Sequence, residues 1–378
     1  MDTNADSSLG LQATPPTEMG LWQSQPALLH AGFGVDPDVT VAALVTGPGG
    51  HHCVLDAHGG GEVALALAAR GAARVLTVPL LDATGAAAVL SLKMAALRSL
   101  TRGEYLRFLG LLRSGAPTRS ALYSRVRLHL APVDRIFWDR HEDALLKGLF
   151  LLEADVAQGR LVRNLLRAHL PKEAYRTLLY GDLRARLATF DQHIAGRRFW
   201  ENALRMCAVR GQFRICLDGE SSPLTCSDPM SALRRLVSTG PASSPVWVRA
   251  FGNDAGVEAS LPWHLTPTGF DALRQNLDAL SVALDPLAAL KTDSRKFDAF
   301  DLTRARSMLS AETFARVLGC VVAAARPGTR ILVAASDVAG VSLPPELVRD
   351  AALEAHVAAS DRAPIACARE VYRRHALA

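Results

Sequence analysis

Phenylalanine, tryptophan and tyrosine make up only 6% of the 378 residues, whereas alanine and leucine abound. The core is therefore expected to consist of small and medium aliphatic side chains, mostly on helices. Cysteine is also scarce. The six, Cys53, Cys207, Cys216, Cys226, Cys320 and Cys367, are too irregularly spaced for a disulfide framework or a finger-like metal site. Cys207, Cys216 and Cys226 stand further apart than zinc pairs do, which leaves ordinary thiols as the expectation and no residue assigned to a metal. No uninterrupted apolar run reaches the roughly eighteen residues that argue for a membrane-spanning helix. Met1 to Pro26 carries polar residues and prolines instead of a basic stretch followed by an apolar one, so it does not read as a signal peptide. A cytoplasmic product is expected, and peripheral contact with a membrane surface is compatible with it.

The charge is modest. A net +5 and a pI near 9.0 permit weak attraction to nucleic acid, anionic lipid or an anionic cofactor and select none of them. Pairs such as Arg197-Arg198 and Arg234-Arg235 lack the interleaved aromatics of a base-stacking surface, so a nucleic-acid partner is not expected. The apolar fraction of 49% does argue for a folded globular product.

After a flexible segment at 1–29, the pattern is that of an α/β fold whose nucleotide-binding domain is split. The first part covers 30–101, a mainly helical insertion 102–260, and the second part with a C-terminal segment 261–378. Cys53–Asp56 reads as a buried strand, Gly59-Gly60-Gly61 as a sharp turn and Glu62–Ala68 as a helix. Ala73–Leu81 and Ala86–Leu100 repeat the strand and helix. In such βα units the ligand crevice lies beyond the carboxyl ends of the strands. Glycines let a backbone approach a ligand closely, and amides at the helix start orient a carboxylate or phosphate.

In the insertion, Glu142–Leu152, Gly159–His169, Lys172–Leu187 and Ala195–Cys207 have helical spacing. Ser221–Pro245 reads as a connection and Val246–Val248 as a strand. The βα rhythm returns with strands at Leu280–Leu284, Phe297–Leu302 and Thr329–Ala335, a helix at Ala311–Ala325 and a turn at Arg326–Arg330.

Several strings resemble, in order and spacing, the BtaA-like family of S-adenosylmethionine-dependent 3-amino-3-carboxypropyl transferases of betaine-lipid assembly. They are Asp36-Pro37-Asp38, Val54–Gly61, Leu92–Ala96, Tyr105–Gly110, Phe137–His141, Leu261–Leu265 and Ala325–Arg330. The resemblance implies a Rossmann-like S-adenosylmethionine-binding domain split by a large helical insertion. It also implies transfer of the aminocarboxypropyl group to an oxygen or nitrogen of a lipid or small-molecule acceptor. An ordinary S-adenosylmethionine-dependent methyltransferase and a noncatalytic ligand-sensing or partner-binding relative are the alternatives.

Carried onto this chain, the resemblance places the cofactor at Asp56, Gly59, Gly60, Gly61 and Glu62, with Asp285 near the adenine. The family's ribose-binding acid after the second strand is missing, because Val78 is followed by Pro79, which has no carboxylate and no N–H. Asp82 is the candidate substitute. Asp301 at a strand end, His141 in the insertion and Tyr105 are the candidates for deprotonating or orienting the acceptor. Ion pairing for Asp301, local polar contact for His141 and core packing for Tyr105 are the competing roles.

Overall fold

The computed structural model describes residues 36–57 except 46 and 48, 60–80, 83–207 except 153, 261–292, 296–360 and 369–375, together with isolated positions between 230 and 260. Helix α1 (Pro37–Leu44) starts where Asp36 accepts the Asp38 amide at 3.1 Å and Pro37 fills the first turn, in which its missing N–H is no loss. Strands β1 (His51–Asp56), β2 (Arg74–Pro79), β3 (Leu280–Val282), β4 (Phe297–Asp301), β5 (Ala325–Ala334), β6 (Leu347–Arg349) and β7 (Arg369–Arg374) form one seven-stranded sheet, in the order β3-β2-β1-β4-β5-β7-β6. The first five in that order run parallel, and β7 is antiparallel to both of its neighbours.

The alternation of the strands divides the core. Val54 and Val75 face a cluster built with α1, α2 (Glu62–Ala69) and α3 (Ala83–Ser99). Cys53, Leu55, Leu76, Val78 and Phe300 face the other, whose helix residues include Leu287, Leu290, Phe314, Val317 and Val321. Every residue of α2 is buried, so its register against the sheet leaves no side to solvent.

The insertion begins with α4 (Arg102–Leu109), α5 (Ala116–Val126), α6 (Pro132–Arg140), α7 (Glu142–Lys147) and α8 (Leu149–Leu152), whose apolar residues join the α2–α3 cluster. Trp138, fully buried, donates its indole N–H to the Ala88 carbonyl at 2.9 Å and pins α6 to α3. By contrast α9 (Ala154–His169), α10 (Lys172–Tyr180), α11 (Leu183–His193) and α12 (Arg198–Cys207) carry a core of their own, including Leu166, Leu178, Phe190, Ile194 and Trp200. The insertion thus has two parts with different attachments. The chain returns through α13 (Pro267–Gln275), α14 (Pro286–Thr292), the short α15 (Ala305–Met308), α16 (Ala311–Ala324), the short α17 (Ala335–Val338) and α18 (Ala351–Ser360).

Some expected elements differ. The helix expected over Lys172–Leu187 breaks at Gly181, because Asp182 caps a new helix by accepting the Ala185 amide at 2.7 Å. The turn expected at Arg326–Arg330 lies inside β5, where the pairing with β4 shifts between Phe297 and Ala299. There Thr329 Oγ1 accepts the Arg326 amide at 2.8 Å and donates to the Phe297 carbonyl at 2.8 Å, closing a kink without ending the strand. The strand expected at Val246–Val248 lies outside the described residues.

Gly269, in the first turn of α13, lies directly against the Trp263-His264 backbone. A Cβ there would lie 1.9 Å from the Trp263 carbonyl oxygen and 2.9 Å from His264 Cα, and backbone cannot rotate aside. Gly269→Ala is expected to destabilise the protein by about 2–3 kcal/mol, measured by urea unfolding. An unchanged midpoint would show that the two segments can separate at little cost.

Candidate functional site

Connections leave β1 toward β2 on one side and β4 lies on the other, so the strand order reverses between β1 and β4. A crevice outside the carboxyl ends of parallel strands at such a reversal is where ligands bind in open α/β sheets. Asp56 ends β1 and Asp301 ends β4; the register pairs Val54 with Asp301.

The turn between β1 and α2 is held from both sides. Asp56 Oδ2 accepts the Gly61 amide at 2.8 Å. Gly61 is left-handed at φ 71°, and a Cβ on it would meet Leu90 Cδ1 at 2.8 Å, so glycine suits both its backbone and its surroundings. On the inner side Lys93 of α3, with no exposed side-chain surface, donates to the Gly60 carbonyl at 2.5 Å and to Glu62 Oε1 at 2.6 Å. Glu62 Oε2 lies 2.9 Å from His264 Nε2. Burial pushes the Glu62 carboxyl upward, but Lys93 and His264 outweigh it and hold the group below the ordinary carboxylate range. Tyr105 lies beside them, fully buried and edge-on to Phe270 with ring centroids 5.4 Å apart. Burial, with the Glu62 charge added, drives its phenol well above its ordinary value.

Asp301 is 4% exposed and its Oδ1 accepts the Thr303 amide at 2.9 Å. Burial raises its carboxyl, and the nearby Asp56 adds to the rise against the lowering by Thr303 and Arg369. A buried carboxyl raised in this way at the carboxyl end of a parallel strand binds a proton more readily than an exposed one, which is the character of a general base.

The structure brings Asp56, Gly60, Gly61, Glu62 and Tyr105 together and places Asp301 on the adjoining strand. Glu62 has both oxygens engaged by Lys93 and His264, which makes it a support of the turn. Asp285 accepts the amides of Leu287 at 2.9 Å and Ala288 at 3.1 Å, capping α14. His141 Nδ1 lies 2.7 Å from the Phe137 carbonyl oxygen and its ring packs on Phe137, both contacts being local to the end of α6. Gly59 and Asp82 lie outside the described residues. Pro79 ends β2 opposite Asp56, and the next amide, Leu80, donates to the Asp56 carbonyl at 2.9 Å.

Nothing in the local sequence marks Lys93 and His264 as site residues. The available signal was a lone lysine in the apolar run Leu92–Ala96 and a histidine between Trp263 and Leu265. Among the described residues no group of three or more His, Cys, Asp or Glu is arranged to hold a metal ion, and no described helix is long and apolar enough to cross a membrane. Compared with known families, curated proteins and solved structures, the chain matches no family model, no curated protein and no solved structure.

Lys93→Met keeps the bulk of the stem while removing the charge from Glu62. Because the Glu62 carboxyl is depressed in the folded protein, it contributes stability that is present above its unfolded value and is lost as pH falls through the folded one. The variant should lose about 3–5 kcal/mol at neutral pH, and its acid unfolding should start at higher pH than in the wild type. Adding Glu62→Gln should restore part of the loss. Equal stability of the single and double variants in urea unfolding would count against a coupled pair.

Proposed function

We propose that the chain binds S-adenosylmethionine in the crevice beyond β1 and β4 and transfers its 3-amino-3-carboxypropyl group to an oxygen or nitrogen of a lipid or small-molecule acceptor. The observation that carries the binding part is the glycine turn from β1 into α2 at the point where the strand order reverses, fastened by Asp56 outside and Lys93 inside. A Rossmann-like reading of the sheet agrees with its five parallel strands. The choice of transferred group rests on the resemblance of the ordered strings.

In this reading the acceptor attacks the first carbon of the aminocarboxypropyl chain. A carbon–oxygen or carbon–nitrogen bond forms, the carbon–sulfur bond breaks, its electron pair neutralises the sulfonium and methylthioadenosine leaves. Asp301 takes the acceptor proton, a role its raised carboxyl suits. Asp56 and the Gly60-Gly61 turn position the donor, so that the chain carbon and not the methyl carbon lies in line with the acceptor. Glu62, Lys93 and His264 support that turn from beneath.

A noncatalytic ligand-binding protein is the second reading. It is favoured by Pro79 at the end of β2 and by the engagement of Asp285 in capping α14, which remove two carboxylate contacts expected for the nucleoside.

Calorimetry should show S-adenosylmethionine binding to the wild type, weakened at least about tenfold in Asp56→Ala through loss of the charge-assisted bond to Gly61. With acceptor present, methylthioadenosine should accumulate; S-adenosylhomocysteine would point to methyl transfer instead. Asp301→Asn should retain donor binding and lose about 10²–10⁴-fold in turnover. The wild-type rate should rise with pH through a limb above the ordinary carboxylate range, as Asp301 loses its proton. Binding without turnover for every acceptor class tried would favour the second reading, and no binding at all would sink both nucleotide assignments.

A further inference from the structure

The reading above leaves one buried polar group at the carboxyl edge of the sheet unused. Thr303, two residues beyond Asp301, is 4% exposed, and its Oγ1 has no hydrogen-bond partner among the described residues. Its amide is committed, donating to Asp301 Oδ1 at 2.9 Å. The hydroxyl stands close enough to hold that carboxyl down against burial, but the pair does not reach hydrogen-bond geometry. A buried hydroxyl without a partner opposes folding, and a valine of the same shape would not carry that cost. Thr303 Oγ1 is thus placed for a bond that the described residues do not supply.

The register supplies its neighbours. Asp301 on β4 pairs with Leu332 on β5, and Leu332 pairs with Val371 on β7. Side chains in such a row share a face, here the one covered by α1, α2 and α3, in whose cluster Leu332 and Val371 lie. The next row on that face is two residues further out. Ala334, the last residue of β5, pairs there with Arg369. The Leu302 amide donates to the Leu332 carbonyl at 2.8 Å, which keeps the chain beside β5 and brings position 303 alongside Ala334. Because β7 is antiparallel to β5, its first residue reaches the carboxyl edge, and that residue is Arg369. A hydroxyl-bearing and a guanidinium-bearing residue therefore flank Ala334, whose side chain ends at Cβ. Arg369 is 9% exposed, and its charge reaches Asp301, where it lowers the carboxyl.

Beyond Thr303 the backbone turns at Arg304, whose φ of 64° is left-handed; no other described non-glycine residue has a positive φ. Such a conformation persists only where its surroundings determine it, so the position of Thr303 is held from both sides.

A guanidinium and a hydroxyl offer N–H and O–H donors together, the chemistry that recognises a carboxylate. The donor in the reading above carries a carboxylate on the chain that is transferred. Asp56 and Asp301 share this face of the sheet and suit the donor's sulfonium and ammonium charges, but they repel its carboxylate. We propose that Thr303, through its hydroxyl, and Arg369, through its guanidinium, hold the carboxylate of the donor over Ala334. This assignment rests on the donor-binding reading, and the two can fail separately.

The test uses the full chain and two probes, S-adenosylmethionine and its decarboxylated analogue, in calorimetry. Thr303→Val keeps the shape and removes the hydroxyl. It should weaken S-adenosylmethionine binding about tenfold and leave the analogue's affinity unchanged, while Thr303→Ser stays near wild type for both. Comparing the loss between probes isolates the contact to the carboxylate from any general effect of the variant. The melting temperature of unliganded Thr303→Val should be no lower than that of the wild type, whereas loss of a structural hydroxyl would lower it. Arg369→Gln should likewise weaken S-adenosylmethionine more than the analogue; should it not fold, the Thr303 variants decide. Equal losses for the two probes in Thr303→Val, or no loss for either, would overturn the carboxylate site and leave donor binding standing. Failure of the wild type to bind S-adenosylmethionine would remove the donor reading and this site with it.

Discussion

Glu62 is a carboxylate on a helix that has no exposed side. Helix α2 reads Glu-Val-Ala-Leu-Ala-Leu-Ala-Ala and is buried throughout, so its one charged residue cannot turn toward water. An unpaired charge there would oppose folding, and the fold resolves this with an ammonium and an imidazole, one on each oxygen. The partners come from opposite sides of the helical insertion: Lys93 from α3 before it, His264 from the segment after it. Residues 202 positions apart in sequence are thus brought to one carboxylate, and the insertion is closed off at its base.

The same lysine bonds the Gly60 carbonyl, so the closure of the insertion and the shape of the glycine turn are one event. Other tethers act in parallel. The Trp263 amide donates to both oxygens of Asp38 at 3.1 and 3.0 Å, linking the returning chain to α1, and the Arg70 guanidinium stacks over the Trp263 ring at 3.9 Å. Several of the strings behind the family resemblance, Asp36–Asp38, Leu92–Ala96, Phe137–His141 and Leu261–Leu265, therefore contribute contacts that join α1, the glycine turn, α2, α3, α6 and the returning chain. Such strings speak more directly to architecture than to chemistry.

The central strands were legible because apolar runs such as Cys53–Asp56 and Phe297–Leu302 are bounded by turn residues and buried on both faces. The last strand was not. Arg369–Arg374 reads Arg-Glu-Val-Tyr-Arg-Arg, and its charge hides a strand that buries Val371 and Tyr372 while pairing with β5 and β6. The glycine turn was visible as a turn, but its fastening was not, since nothing local to Lys93 or His264 says that both point at Glu62. The long-range carboxylate partnerships were legible only as residue types. Asp285 looked available after a strand end, yet the same position is the N-cap of the next helix, and the unsatisfied amides there take the carboxylate first.

That competition bears on what the crevice can recognise. Glu62 is committed to Lys93 and His264, and Asp285 to the first amides of α14, while the end of β2 offers a proline. Among the described residues, the other carboxylates at the ends of β1 to β4 are Asp56 and Asp301, each of which also accepts a backbone amide. Both sit at the strand ends that flank the reversal in strand order, and Asp56 already shares its charge with the Gly61 amide. A ligand held here depends correspondingly more on backbone groups of the glycine turn and the start of α2, whose geometry is set by Lys93 beneath. Rigidity of the turn thus does for recognition what an additional side-chain contact would otherwise have to do.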